Sequence, residues 1–300
     1  MKRNLTFFMI VCFAILFTAC HKESEGVYNP GKKISKTYYT AYNSDGTIEQ
    51  PRHLSETYTW NKDNTLNNIE SEWSRQSYTY YSNKRIKTYT YQSKVDGWSY
   101  TSEYKYKGNQ LSEIKLSDGE IYQFTHKNGK IVTITYGVYN NDKNADKSKV
   151  SPLRFVLSEE ICRDIQENIE MQRAKKVGKG SNTGTDVHVL STYTLTWTKD
   201  NVTKMVYMDE EDGRTITNTY QYDSYNNPYY NSDYTEVYSL SKNNIISEKH
   251  EQGNSLRVIT YTYTYEDQYP VRKQQSSQSY WNGSLMSESN NRLTEYEYLN

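Results

Sequence analysis

From residue 33 onward, aromatic and polar positions alternate with a period of two, and each alternating run ends in a polar turn. Thr57-Tyr58-Thr59-Trp60 leads through Asn61–Asn64 to Leu66 and Ile69. Tyr104 and Tyr106 lead through Gly108-Asn109 to Leu111 and Ile114. Tyr122 and Phe124 lead through Asn128-Gly129 to Ile131 and Ile134. Leu195 and Trp197 precede Val202 and Met205, and Tyr238 and Leu240 precede Asn243-Asn244 and Ile245. Successive side chains of a strand point to opposite faces, so in Tyr261-Thr262-Tyr263-Thr264-Tyr265 the tyrosines share one face and the threonines the other. Both residue types favour strands. Asn128-Gly129 and Asp118-Gly119 predict tight hairpin turns, because those residues accept positive φ. The pattern predicts an all-β antiparallel meander of about 15–18 strands, able to close into a barrel, fold into a sandwich or run as an open sheet. Closure would remove the exposed edges of a long sheet.

Residues 140–187 interrupt the repeat. A polar loop covers 140–149. Ser158 then reads as an N-cap, with Glu159 and Glu160 in the first turn and Ile161, Ile165 and Ile169 on one face. The spacing predicts one inserted α-helix over about 158–176, followed by a glycine-rich loop. The repeat resumes at His188, which favours a single β domain over 33–300 carrying this insertion.

The N-terminus has a different logic. Lys2 and Arg3 precede an apolar run from Leu5 to Phe17, too short for a stable bilayer span. The run ends in Leu16-Phe17-Thr18-Ala19-Cys20. Small residues before a cysteine after an apolar run resemble the lipobox of bacterial lipoproteins, although Phe17 stands where leucine is commoner. That resemblance implies a signal peptide over 1–19 and lipidation of Cys20 by a thioether-linked diacylglycerol and an N-acyl chain. More than one chain is what stable anchoring needs. Residues 20–32 are polar and turn-rich and read as a flexible tether. Lys22 followed by acids resembles a surface-export signal of certain Gram-negative lipoproteins. It favours outward display on the outer membrane over the periplasmic face.

Composition narrows the picture. The chain has 300 residues and 32 tyrosines, while its mean hydropathy is only −0.97. Disordered segments are poor in aromatics, so tyrosine is the expected burying residue. The formal net charge is zero. Loss of the leader takes two of the 36 basic residues and no acid, so the mature chain carries a charge of about −2 and offers nucleic acid no electrostatic footprint. Cys12 lies in the leader and Cys20 at the processing site. Cys162 is then alone, and no intramolecular disulfide is possible. Lys87, Lys105, Glu248, Lys249, Glu295 and Glu297 fall in or beside strands, which argues against a barrel that spans the membrane.

The Tyr-x-Tyr, turn, aliphatic unit resembles the YD repeats of Rhs-type proteins, as in Gly213-Arg214-Thr215-Ile216 and Tyr220-Gln221-Tyr222-Asp223. With the lipobox, most of 33–300 is more similar to a family of uncharacterised lipoproteins with a porin-like barrel. That likeness implies a large antiparallel barrel on a lipid anchor and transfers no catalytic or binding residue. So many strands would leave a wide or flattened lumen, with inward tyrosines lining a wet cavity.

No catalytic, cofactor or metal constellation stands out. His21, His53, His126, His188 and His250 are scattered. Ser239-Leu240-Ser241-Lys242 has the outline of a Ser-x-x-Lys motif, but no Lys-Thr-Gly follows. Asp209–Gly213 reads as a solvated acidic turn rather than a calcium loop. Trp60, Trp73, Trp98, Trp197 and Trp281 are candidate ligand-stacking rings, set against the simpler reading that they pack within the sheet. The sequence therefore favours a membrane-anchored, non-enzymatic binding or scaffold module with a glycan or protein ligand. The alternatives are a hydrolase of unrecognised type acting on an extracellular polymer, and a shell around a cargo.

Overall fold

The structure is a computed structural model that describes residues 25–117, 119–139, 187–232 and 237–299, without the side chains of 290 and 291. Its sixteen strands are β1 (Ile34–Tyr42), β2 (Ile48–Trp60), β3 (Leu66–Ser71), β4 (Ser74–Tyr80), β5 (Ile86–Ser93), β6 (Ser99–Lys107), β7 (Gln110–Leu116), β8 (Glu120–Lys127), β9 (Lys130–Tyr139), β10 (Val187–Thr198), β11 (Asn201–Asp209), β12 (Thr215–Asn226), β13 (Asn243–Gln252), β14 (Ser255–Glu266), β15 (Tyr269–Trp281) and β16 (Ser284–Tyr298). Each pairs antiparallel with the next. β16 returns to pair with β1, Tyr298 opposite Ile34, and the sheet closes into a barrel. Of the two predicted turns, Asn128 and Gly129 have φ of 52° and 70°, as a two-residue hairpin demands. Asp118 lies outside the described residues.

The barrel has two unlike ends. At the near end β1 starts, β16 stops, and the even strands turn into the odd ones. There the sheet repeats one device. The register of each near-end hairpin shifts by a residue, so Thr59 faces Asn68 while Trp60 faces Leu66. The same shift places Tyr80 opposite Ile86, Tyr106 opposite Leu111, His126 opposite Ile131, Trp197 opposite Val202 and Tyr222 opposite Ile245. Bulges of this kind bend a strand and re-aim a side chain.

The re-aimed ring reaches back one hairpin and donates to a backbone carbonyl. Trp60 Nε1 donates to Ile34 O at 2.9 Å, Tyr80 Oη to Leu66 O at 2.7 Å, and Tyr106 Oη to Ile86 O at 3.0 Å. Trp197 Nε1 donates to Ile131 O at 2.6 Å and Tyr222 Oη to Val202 O at 2.5 Å. Tyr298 Oη donates to Pro270 O at 2.7 Å; on β14 the bulge ring is Tyr265, which donates to the Asp223 carboxylate, and Tyr263 two residues earlier donates to Ile245 O at 2.8 Å. Ile34, Leu66, Ile86, Ile131 and Val202 are buried. A buried carbonyl without a partner costs about 1–3 kcal/mol. These rings form a belt around the near end.

The β8–β9 hairpin carries His126 where the others carry tyrosine or tryptophan. Residues upstream of β1 complete the belt at this point. Glu25 accepts from Leu111 N at 2.7 Å and lies 2.9 Å from His126 Nε2. Ile86 N donates to Gly26 O at 2.9 Å. Gly26 has φ of 83°, and the Tyr106 ring occupies the space a side chain would need. Tyr28 is buried beside Trp60, with ring centroids 5.5 Å apart, and donates to Pro228 O at 2.8 Å. The second half of the expected tether therefore packs onto the barrel, because Glu25 and Tyr28 each find a partner there.

The connection between β12 and β13 also closes the near end. It contains a short helix, α1 (Val237–Leu240), where the spacing of Tyr238 and Leu240 predicts a strand. Asn227 holds this turn by donating to Tyr238 O at 2.6 Å and Ser241 O at 2.9 Å. Tyr229 packs 6.3 Å from the Tyr296 ring of β16. The helix expected at about 158–176 falls outside the described residues.

Inward rings and aliphatics from all around the sheet form one buried cluster, including Tyr58, Tyr104, Tyr122, Tyr193 and Tyr296. Tyr136, Tyr193 and Tyr207 are among the most completely buried side chains. Packed rings occupy the interior where the sequence leads one to expect a wet lumen, and the near-end hydroxyls donate to backbone carbonyls. Burial pushes the Tyr106 and Tyr222 hydroxyls well above the ordinary phenol range. The outer wall is polar. Lys105 meets Glu113 at 2.7 Å, Arg52 meets Glu295 at 2.7 Å, and threonines pair at Thr79–Thr88 and Thr90–Thr101. A membrane-spanning barrel has the reverse arrangement, with an apolar band facing lipid.

Replacing Tyr80 or Tyr106 with phenylalanine keeps the ring and removes the bond. Each variant should lose about 1 kcal/mol in urea unfolding, whereas Tyr42→Phe at the far end should change stability by less than about 0.5 kcal/mol. Equal effects at both ends would contradict the belt.

Candidate functional site at the far end

Among the described residues, the far end has no belt of rings donating to carbonyls; its neighbouring hairpins are tied by fewer, mostly backbone bonds, such as Ser117 N to Thr101 O at 2.8 Å and Asn282 N to Asn254 O at 3.0 Å. Residues 48–54 of β2 and 284–288 of β16 are exposed on both faces. Most exposed large apolar side chains gather on its turns and strand ends, among them Ile48, Trp73, Val95, Trp98, Trp281 and Met286.

The five tryptophans divide between the ends. Trp60 and Trp197 are belt members whose indole N–H groups are used. Trp73, Trp98 and Trp281 stand on far-end turns, exposed by 63%, 53% and 53%. The structure brings Trp73 and Trp98 onto adjoining hairpins, since Lys94 N donates to Trp73 O at 2.8 Å. Trp281 sits apart, on the β15–β16 hairpin.

Trp98 belongs to a group of rings. Tyr91 and Tyr100 face each other across β5 and β6. Their rings stack 5.5 Å apart at 19°. Trp98 lies 5.3 Å from Tyr100 and 5.9 Å from Tyr91. Tyr89 continues the row inward, 5.9 Å from Tyr100 and 5.3 Å from Tyr78. The turn is held by Ser93 N donating to Trp98 O at 2.8 Å and Trp98 N donating to Asp96 Oδ1 at 3.1 Å. Alternation along β5 and β6 signals the tyrosines. Their meeting with a turn tryptophan needs the register.

A polar group inside β12–β15 escapes sequence reasoning. Cross-strand pairing sets His250 opposite Asn218, with Nδ1 and Oδ1 2.5 Å apart. His250 Nε2 lies 3.2 Å from the Glu248 carboxylate, which also accepts from Tyr261 Oη at 2.8 Å. Lys249, between them on the strand, falls on the opposite face and is exposed. Burial alone would raise the Glu248 carboxyl, but His250, Tyr261 and nearby Lys273 outweigh it and hold the carboxyl below its ordinary value.

Other sequence candidates find structural places. Asp209 is buried rather than solvated. It accepts from Tyr207 Oη at 3.2 Å and Glu211 N at 3.0 Å and lies 3.5 Å from Arg214. Ser239 is buried within α1. Among the described residues no cluster of three or more His, Cys, Asp and Glu side chains could hold a metal. Cys20 lies outside them.

No family model matches the chain, and no curated protein matches it. Solved structures similar to it include a porin-like protein from Bacteroides uniformis, 11% identical, covering 92% of this chain and 100% of that one with a TM-score of 0.38. A porin-like protein from Bacteroides vulgatus is 12% identical, covering 89% of this chain and 99% of that one with a TM-score of 0.31. The TcdB2-TccC3-Cdc42 structure is 13% identical with a TM-score of 0.33. The match covers 87% of this chain but only 14% of that one. The class the chain's own geometry defines is a closed antiparallel β-barrel with an aromatic interior and a polar outer wall.

A carboxyl held low in the fold stabilises it fully above the unfolded value near 4.3, and the contribution is lost as pH falls through the folded value. Glu248→Gln should therefore be less stable than the parent by about 1–3 kcal/mol at pH 7, and the gap should close toward pH 3 in urea titrations. A gap independent of pH would contradict this assignment.

Proposed function

We propose that the chain is a lipid-anchored cell-envelope protein, processed at Cys20 and displayed on the outer membrane. It is a non-enzymatic binding or scaffold module that presents its far end away from the bilayer. The seat of Glu25 and Tyr28 at the near end carries this reading. Four residues lie between Cys20 and Glu25, and the five residue steps from one to the other span at most about 17 Å when extended. Acyl chains on Cys20 would hold the near end against the headgroups and turn the exposed tryptophans outward. The polar outer wall supports a barrel that stands on the membrane rather than in it.

Two measurements on the full chain made in a Gram-negative host test the proposal. Mass spectrometry of the mature N-terminal peptide should find acylated Cys20; an unmodified N-terminus would overturn the anchor. In proteoliposomes with brominated acyl chains, the emission lost on Trp98→Ala should be unquenched in the parent. Quenching of that component would overturn the orientation.

A further inference from the structure

Resting on the reading of the far end as a binding face, we infer that Trp98, with Trp73 on the adjoining turn, forms a saccharide-binding site for a glycan. A pyranose presents C–H groups on its faces and hydroxyls around its edge. It suits a flat ring with polar groups at the margin, as amphipathic aromatics in binding sites do.

The Trp98 platform has that form. The indole packs against Tyr91 and Tyr100, tilted 58° and 49° to their rings, and keeps half its surface open. Its backbone is fixed on both sides by Ser93 and Asp96, so little ordering remains for binding to oppose. Trp73 supplies a second open indole on the adjoining turn, joined through Lys94, which itself pairs with Glu70 at 2.9 Å. Acidic Asp96 and Glu70 and cationic Lys94 stand around these turns. The charges are mixed rather than of one sign, which suits a neutral, hydroxyl-rich ligand better than a polyanion.

The backbone argues against an extended peptide at this place. β4 and β5 are paired out to Ser74 opposite Ser93, and β5 and β6 out to Gln92 opposite Ser99. Both ladders are complete to the turns, so an added strand would find no open edge between them. Ring faces are what this surface offers.

The test uses the full chain in detergent and a set of soluble oligosaccharides: β-glucans, α-glucans, mannans, xylans, chitooligosaccharides and peptidoglycan fragments. Binding is read by tryptophan emission and calorimetry, and circular dichroism confirms that each variant is folded. At least one oligosaccharide should bind. Trp98→Ala and Trp73→Ala should each weaken it roughly tenfold or more. Trp98→Phe should recover part of the loss, and Tyr80→Phe at the opposite end of the barrel should leave affinity unchanged. Saccharide binding that ignores Trp98→Ala would overturn the inference, as would no binding by any member of the set. A purified protein ligand bound in a Trp98-dependent manner, with no saccharide bound, would overturn the inference and leave the binding-module reading intact. Ligand binding that is indifferent to Trp73, Trp98 and Trp281 together would overturn both.

Discussion

At most of the turns of the near end, the carbonyl of a buried aliphatic residue at the start of a strand must find a donor other than its neighbour in the sheet. The belt of rings answers this constraint. A leucine would fill the same space and leave the oxygen unpaired, at a cost of about 1–3 kcal/mol. Tyrosine and tryptophan fill the space and donate a hydrogen bond from the far edge of the ring. The bulge beside the ring aims it one hairpin back, so each such hairpin is tied to its predecessor and the ties run around the barrel. Tyrosine abundance in a polar chain follows from that geometry. Where the ring is replaced by His126, Glu25 binds both the imidazole and Leu111 N, and the chain upstream of the first strand becomes part of the fold.

The two ends consequently serve different physical purposes. The near end is stapled by carbonyl bonds, by Tyr28 and by the connection carrying Tyr229. The far end has strand segments exposed on both faces and turns that carry open indoles. Binding surfaces are commonly placed on loops held by a rigid scaffold, and this division supplies both parts. Attachment near Glu25 would set the division along the membrane normal.

Much of this architecture is legible in the chain. Tyr261, Tyr263 and Tyr265 share the more buried face of their strand, and the threonines between them the more exposed one, as period-two reasoning requires. The sixteen strands lie within the expected range and close on one another. Tyr238 and Leu240 mislead because two large side chains at strand spacing also fit a single helical turn. The bonds from Asn227 that decide between them come from eleven and fourteen residues away. The lumen reads as wet in the sequence because a hydroxyl's or indole's partner cannot be read from spacing: Trp197 reaches a carbonyl 66 residues back. The same limit hides the difference between Trp60 and Trp98, because neither the reach of Trp60 to Ile34 O nor the meeting of Trp98 with Tyr91 and Tyr100 shows in local sequence. Glu248 and His250 look like ordinary strand charges until the register sets Asn218 and Tyr261 beside them.

The belt predicts an uneven distribution of stability, which native-state amide hydrogen exchange measures residue by residue. The amides of Ile86 and Leu111, bonded to Gly26 and Glu25 at the near end, should be among the slowest to exchange. Those of residues 48–54 and 284–288 should be among the fastest. Exchange at Ile86 and Leu111 as rapid as at the far-end hairpins would contradict the account.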